Sequence, residues 1–143
     1  MAGNFGCNDS NHSPQLSWNG APTGTRSFAV TMYDADAPTG SGFWHWVIVD
    51  IPSQVLELKA GQGDAKTDQA PAGSLQSQND TGSPGYQGPC PPTGDAPHRY
   101  LITVYALDTE KLGTNATSTA ALTGFMLSKH TLAKASLAIY CKR

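Results

Sequence analysis

A mostly β, antiparallel fold with long loops and one late helix is what this sequence predicts, on three observations. Residues 27–34, 43–51 and 98–107 are apolar segments whose large side chains fall into rows of one parity, the period of a strand that buries a face. Gly, Pro, Ser and Thr crowd the stretches between them, while strongly helical stretches are few. Only residues 118–134 carry apolar side chains at broadly helical spacing: Ala120, Ala121, Leu122, Phe125, Met126 and Leu132, with Gly124 as an interior weak point.

Taken in order, residues 1–14 are polar and irregular, and 15–18 form a short strand candidate stopped by Asn19-Gly20 and Ala21-Pro22. In 27–34 the row is Phe28, Val30, Met32 and Asp34, so the strand carries an acid at the end of its apolar face. Residues 35–42 are a turn-rich connection. In 43–51 the row reads Phe43, His45, Val47, Val49 and Ile51, with His45 near its end. Residues 55–58 are too brief to classify. From 61 to 97 almost nothing is apolar, and a loop this long inside a compact domain is usually functional or disordered. Its second half, Gly85-Tyr-Gln-Gly-Pro-Cys-Pro-Pro-Thr-Gly94, holds three glycines and three prolines in ten residues. That composition fixes a backbone shape and leaves room for a ligand to approach, so the loop reads as functional. In 98–107 the row is His98, Tyr100, Ile102, Val104 and Ala106. Residues 135–141 offer a last strand with Leu137, Ile139 and Cys141 on one face.

The 143 residues predict one domain, 1–143, with a core large enough to stand without disulfide staples. Charged residues make up 14% and the net charge is −2, so no basic stripe recommends a nucleic acid as partner. No apolar run approaches the roughly 20 residues of a membrane span. The opening Met-Ala-Gly-Asn-Phe-Gly lacks the basic and apolar regions of a signal peptide. The expected compartment is therefore the cytoplasm, or the periplasm or exterior if a leader has been removed. Cys7, Cys90 and Cys141 allow at most one internal disulfide, with the pair open. Their spacing matches no zinc motif, and neither metal nor cofactor is expected.

Asp34, His45, His98 and Tyr100 all stand at strand ends, beside a Gly/Pro loop that immediately precedes His98. One acid, two imidazoles and a phenol supply both donors and acceptors, a mix that suits a small oxyanion with Asp34 orienting a histidine. A purely structural reading competes with this: Asp34 caps the following turn and His45 is a tucked-in rim residue. The same residues support acid–base hydrolysis of an ester or phosphoester by His45, His98 and Asp34. No Gly-x-Ser-x-Gly elbow supplies a nucleophile, which leaves Cys90 as the candidate. A metal site of Asp34, His45 and His98 has suitable ligand types but no diagnostic spacing. The aromatic residues Phe43, Trp44 and Tyr86 suit lipid contact or a homodimer interface equally well.

Asp34-Ala-Asp-Ala-Pro38, Trp44-His45, Gly88-Pro-Cys-Pro-Pro92 and His98-Arg-Tyr100 together resemble the signature of the phosphatidylethanolamine-binding protein family, in its bacterial and archaeal, Raf kinase inhibitor-like branch. Ser13-Pro14 with Trp18 and the Ala-rich helix before a last strand also fit, and the resemblance runs in order along nearly the whole chain. It implies a Greek-key antiparallel β-sandwich with a C-terminal helix, and a small pocket for phosphate, acetate or a phospholipid head group. Carried over, Asp34, His45, His98 and Tyr100 line that pocket and Cys90, Pro91 and Pro92 form its wall. Asp36 becomes a mainly structural acid and Pro38 a site for a cis peptide bond. Ala35 stands where the family pattern has its first proline, and the late start implies a shortened opening β segment. On the histidines rests one further expectation: anion affinity should fall as pH rises through the histidine range.

Overall fold

A computed structural model of the chain describes Cys7 and residues 10–143. Its elements are β1 (Leu16–Ser17), β2 (Ser27–Asp34), β3 (Phe43–Pro52), β4 (Glu57–Leu58), β5 (Leu75–Gln76), β6 (His98–Leu107), α1 (Ala120–His130) and β7 (Thr131–Cys141). One five-stranded sheet has the order β5-β3-β2-β6-β7, and β1 pairs with β4 as a separate ribbon. All of these pairings are antiparallel. The expected β architecture with its late helix is what forms. The expectation about an opening β segment lies outside the described residues.

The central strand β2 is buried almost throughout because both of its faces are covered. On one side Phe28, Val30 and Met32 pack with Trp46, Ile48, Ile51, Tyr100, Ile102 and Leu58 of the ribbon, with Leu16 and Trp18 against them. On the other, Ala29, Val47, Val49 and Leu107 pack with Leu112 and with Ala120 and Leu127 of the helix. The rows expected for β2 and β6 hold. The row expected for β3 does not, because Val47 and Val49 face the helix whereas Ile51 faces the ribbon.

Two bulges cause this. Between the pairs Phe28–Ile51 and Val30–Ile48, three steps of β3 match two of β2. Asp50 lies in that bulge with φ 58°, and its Oδ1 accepts the Leu112 amide at 2.8 Å, which satisfies a buried acid. Between Met32–Trp46 and Tyr33–Trp44 two steps of β3 match one of β2, and His45 is the residue left without an opposite number. Each bulge moves every following side chain to the other face.

The helix is shorter than its apolar spacing predicts. Thr119 caps its start, Oγ1 accepting the Leu122 amide at 3.1 Å. At its end Thr131 adopts extended dihedrals while its own N–H and hydroxyl bond the Leu127 carbonyl. Residues 131–134, expected in the helix, instead begin β7, which pairs with β6 from Thr131 to Cys141. The exposed backbone edge of β6 needs partners, and that demand overrides the modest helical preference of these residues. The brief stretch after residue 54 resolves into β4, and the long loop contains β5 and the isolated bridge Gln78–Pro84. All peptide bonds of the described residues are trans, so Pro38 follows a trans bond.

Candidate functional site

The ends of β2, β3 and β6 and the loop 86–92 enclose a cavity of about 220 Å³. Asp34, His45, Cys90, Pro91, Pro92, His98 and Tyr100 all line it, so the residues singled out in the sequence converge. Asp34 stands opposite Tyr100 across the β2–β6 pairing, and the parity of both strands carries them, with His98, to the same face. His45 joins them through the bulge. Its ring meets Tyr100 edge-on with centroids 5.2 Å apart and lies 4.8 Å from the Phe43 ring.

Asp34 is the hub of the polar network. Its Oδ1 accepts the Asp36 amide at 2.8 Å, which closes the turn after β2. Its Oδ2 accepts from His98 Nδ1 at 2.8 Å, and Tyr100 stands opposite Asp34 on β6. The other imidazole nitrogen of His98 meets a second carboxylate, Asp95 Oδ2, at 3.0 Å. Burial opposes charge on His98, but these two hydrogen bonds and two negative charges outweigh it and hold the imidazole protonated to higher pH than usual. Both N–H groups of that imidazolium are thereby spent on protein carboxylates. Burial, reinforced by Asp34, pushes the Tyr100 hydroxyl far above its ordinary ionisation range.

His45 is the opposite case. Its Nδ1 lies 2.8 Å from the Gln87 carbonyl, which can only accept, so this nitrogen carries the proton. Burial lowers its pKa, and the Gln87 bond with the charges of Asp34 and Asp80 offsets only part of that. The neutral ring turns a bare Nε2 lone pair to the site. Gln87 is locked in return, its amide donating to the His45 carbonyl at 2.9 Å.

The wall loop is fastened from two sides. Asn11 accepts the Gly88 amide at 2.7 Å and donates to the Tyr86 carbonyl at 3.0 Å. Cys90 is bonded to Cys7 in a disulfide, which resolves the open pairing. Arg143 Nη1 lies 3.3–3.4 Å from both sulfurs. As a disulfide sulfur, Cys90 is no thiolate nucleophile. Asp36 is structural as expected, accepting the Arg99 amide at 2.8 Å. Of the aromatic residues, Phe43 lines the cavity, Tyr86 packs edge-on against buried Trp46 at 5.6 Å, and Trp44 packs against Tyr33 with centroids 4.5 Å apart and planes tilted by 43°. Tyr86 is therefore core-facing rather than a rim residue, and burial raises its pKa to about 12.

Three participants escaped the sequence reading: Asp95, Gln87 and Asn11. The spacing Asp95-x-x-His98 was the available signal for the first. Nothing local marks the other two. Among the described residues no group of three His, Cys, Asp or Glu side chains is placed to hold a metal ion.

The family model for phosphatidylethanolamine-binding protein matches residues 1–142. The chain belongs to this family. It is 49% identical over 133 residues to YbcL of Escherichia coli, covering 93% of this chain and 73% of that one. With YbhB of the same organism it shares 46% identity over 133 residues, 93% of this chain and 83% of the relative. The crystal structure of E. coli YbcL, described as a new member of the mammalian PEBP family, superposes with a TM-score of 0.95 at 47% identity, covering 97% of this chain and 85% of that one. A PEBP homolog from Chlamydia trachomatis gives a TM-score of 0.77 at 28% identity, over 92% of this chain and 82% of its own.

Proposed function

We propose that this PEBP-family chain is a binding protein for small oxyanions: phosphate, carboxylates or the head group of a phospholipid. What carries the reading is the cavity itself, where Asp34, His45, His98 and Tyr100 meet behind a Pro-walled loop. Its volume of about 220 Å³ accommodates a phosphate with a short arm but no acyl chain, so a lipid ligand would enter by its head group alone. A regulatory role through a larger partner is compatible with this but rests on family resemblance only. The Cys7–Cys90 disulfide supports residence in an oxidising compartment rather than a reducing cytoplasm.

Calorimetric titration with inorganic phosphate, acetate and phosphoethanolamine tests the reading, alongside flotation with phosphatidylethanolamine vesicles. Saturable binding that His45→Ala weakens supports it. No heat with any of the three ligands and no vesicle association would refute it.

Hydrolysis is the second reading, favoured by one feature: neutral His45, whose bare Nε2 has the form of a general base. With Cys90 held in the disulfide, water would have to be the nucleophile. Turnover of p-nitrophenyl acetate or phosphate that vanishes with His45→Ala would establish it.

A further inference from the structure

A guanidinium stands against the disulfide that fastens the cavity wall. Arg143 Nη1 lies 3.4 Å from Cys7 Sγ and 3.3 Å from Cys90 Sγ. Its Nε donates to Thr93 Oγ1 at 2.9 Å, so the wall loop itself holds the group in place. A closed bridge gains little from such a cation, because its sulfurs are weak acceptors. A thiolate gains far more: a neighbouring Arg lowers a thiol pKa from its ordinary value of about 8.5 by stabilising the anion. The contact therefore favours the opened bridge over the closed one.

The two cysteines differ in access. Cys7 is 9% exposed, whereas Cys90 is partly exposed and lines the cavity. Disulfide exchange proceeds by attack of a thiolate on one sulfur with expulsion of the other, and a leaving thiol of lower pKa departs faster. Attack at Cys90 makes Cys7 the leaving group, and it departs as an anion already within reach of Arg143.

We propose that the Cys7–Cys90 bridge is a redox modification site for low-molecular-weight thiols, opened at Cys90, with Arg143 receiving the departing Cys7 thiolate. In the first step a thiolate RS⁻ bonds to Cys90 Sγ, the S–S bond breaks, and its electron pair leaves on Cys7. The product is a mixed disulfide on the wall loop. A second RS⁻ then attacks the R sulfur of that mixed disulfide, releasing RSSR and the Cys90 thiolate. Across both steps the external thiols lose two electrons and the protein bridge gains them. The chemistry is independent of the ligand that the cavity takes.

The folded protein is incubated at neutral pH with reduced glutathione and, in parallel, with uncharged 2-mercaptoethanol. Samples are quenched with N-ethylmaleimide, and peptide mass spectrometry follows the adducts on Cys7, Cys90 and Cys141 with time, while near-ultraviolet circular dichroism follows the fold. In wild type the first thiol adduct should appear on Cys90, with Cys7 alkylated and the fold retained. Arg143→Gln should slow opening by both thiols about three- to tenfold, and Arg143→Lys, which restores the charge, should open faster than Arg143→Gln. An unchanged or faster rate in Arg143→Gln would overturn the role of Arg143, and so would equal rates in Arg143→Gln and Arg143→Lys. Slowing with glutathione alone would reduce Arg143 to a surface charge that attracts an anionic thiol, and overturn that role as well. A first adduct on Cys7 would overturn the direction of attack. A bridge that neither thiol opens, or that opens only as the fold is lost, would overturn the modification site altogether.

Discussion

His45 reaches Tyr100, with ring centroids 5.2 Å apart and planes at 73°, from the one position of β3 that has no partner in β2. Strict alternation would have placed it with Val47 and Val49 on the helix side. The extra residue turns it to the ribbon side, where Asp34 and Tyr100 already point. A bulge beside a functional cavity re-aims one side chain without moving the strand.

The two site histidines should titrate in opposite directions. His98 is held protonated by Asp34 and Asp95 against the effect of burial, so its imidazole should titrate above the ordinary value of 6.5. His45 should titrate below it, because it is buried with a backbone carbonyl for a partner. Imidazole chemical shifts followed by NMR check both, and Asp95→Asn should lower the His98 pKa while leaving that of His45 nearly unchanged.

Stability should fall on both sides of a mid-range optimum. For His98 the folded pKa is raised, so its contribution is complete below 6.5, the value of the unfolded chain, and is lost as pH rises through the folded value. For His45 the folded pKa is lowered, so its contribution is complete above 6.5 and is lost as pH falls toward the folded value. Melting temperature measured against pH should show both limbs. His98→Gln should flatten the alkaline limb alone. Because it leaves two buried or half-buried carboxylates without their cation, it should also cost about 3–5 kcal/mol near neutrality. An alkaline limb unchanged in His98→Gln would contradict the assignment.

Reduction should destabilise the chain and loosen the cavity wall together. The Cys7–Cys90 bridge closes a sequence separation of 83 residues, and removing such a native bridge typically costs about 2–5 kcal/mol. Urea denaturation of Cys90→Ser against wild type, with and without dithiothreitol, checks the size. Dithiothreitol should lower the midpoint of wild type and leave that of the variant unmoved.

Gly42 should not tolerate a side chain. It has φ 74°, and a Cβ there would collide with the Tyr33 hydroxyl and lie 2.8 Å from the Asp34 carbonyl oxygen. Gly42→Ala should cost about 2–4 kcal/mol from the left-handed backbone and the overlap combined. Since the clash falls on the residue that anchors His98, the imidazole shift of His98 should move as well. A variant as stable as wild type would show that the 35–42 turn rearranges freely.

By itself the sequence determined the strand character of 27–34, 43–51 and 98–107, the late helix, and four of the polar residues around the cavity. Those features are local: parity along β2 and β6 is uninterrupted, so reading alternate side chains places Asp34, His98 and Tyr100 on one face. The Gly/Pro composition likewise announced the wall loop. Tertiary structure alone decided the rest. The bulges at His45 and Asp50 arise from how β3 is matched against β2, and no count along one strand can see its neighbour. The helix stops at His130 because β6 takes the following residues as a partner. Cys7 joins Cys90 across 83 residues, and Asp95 and Gln87 gain their meaning only from what they touch, a histidine shared with Asp34 and a histidine whose Nδ1 proton the Gln87 carbonyl holds. Periodicity records which face a residue prefers; pairing between distant segments determines which face it receives.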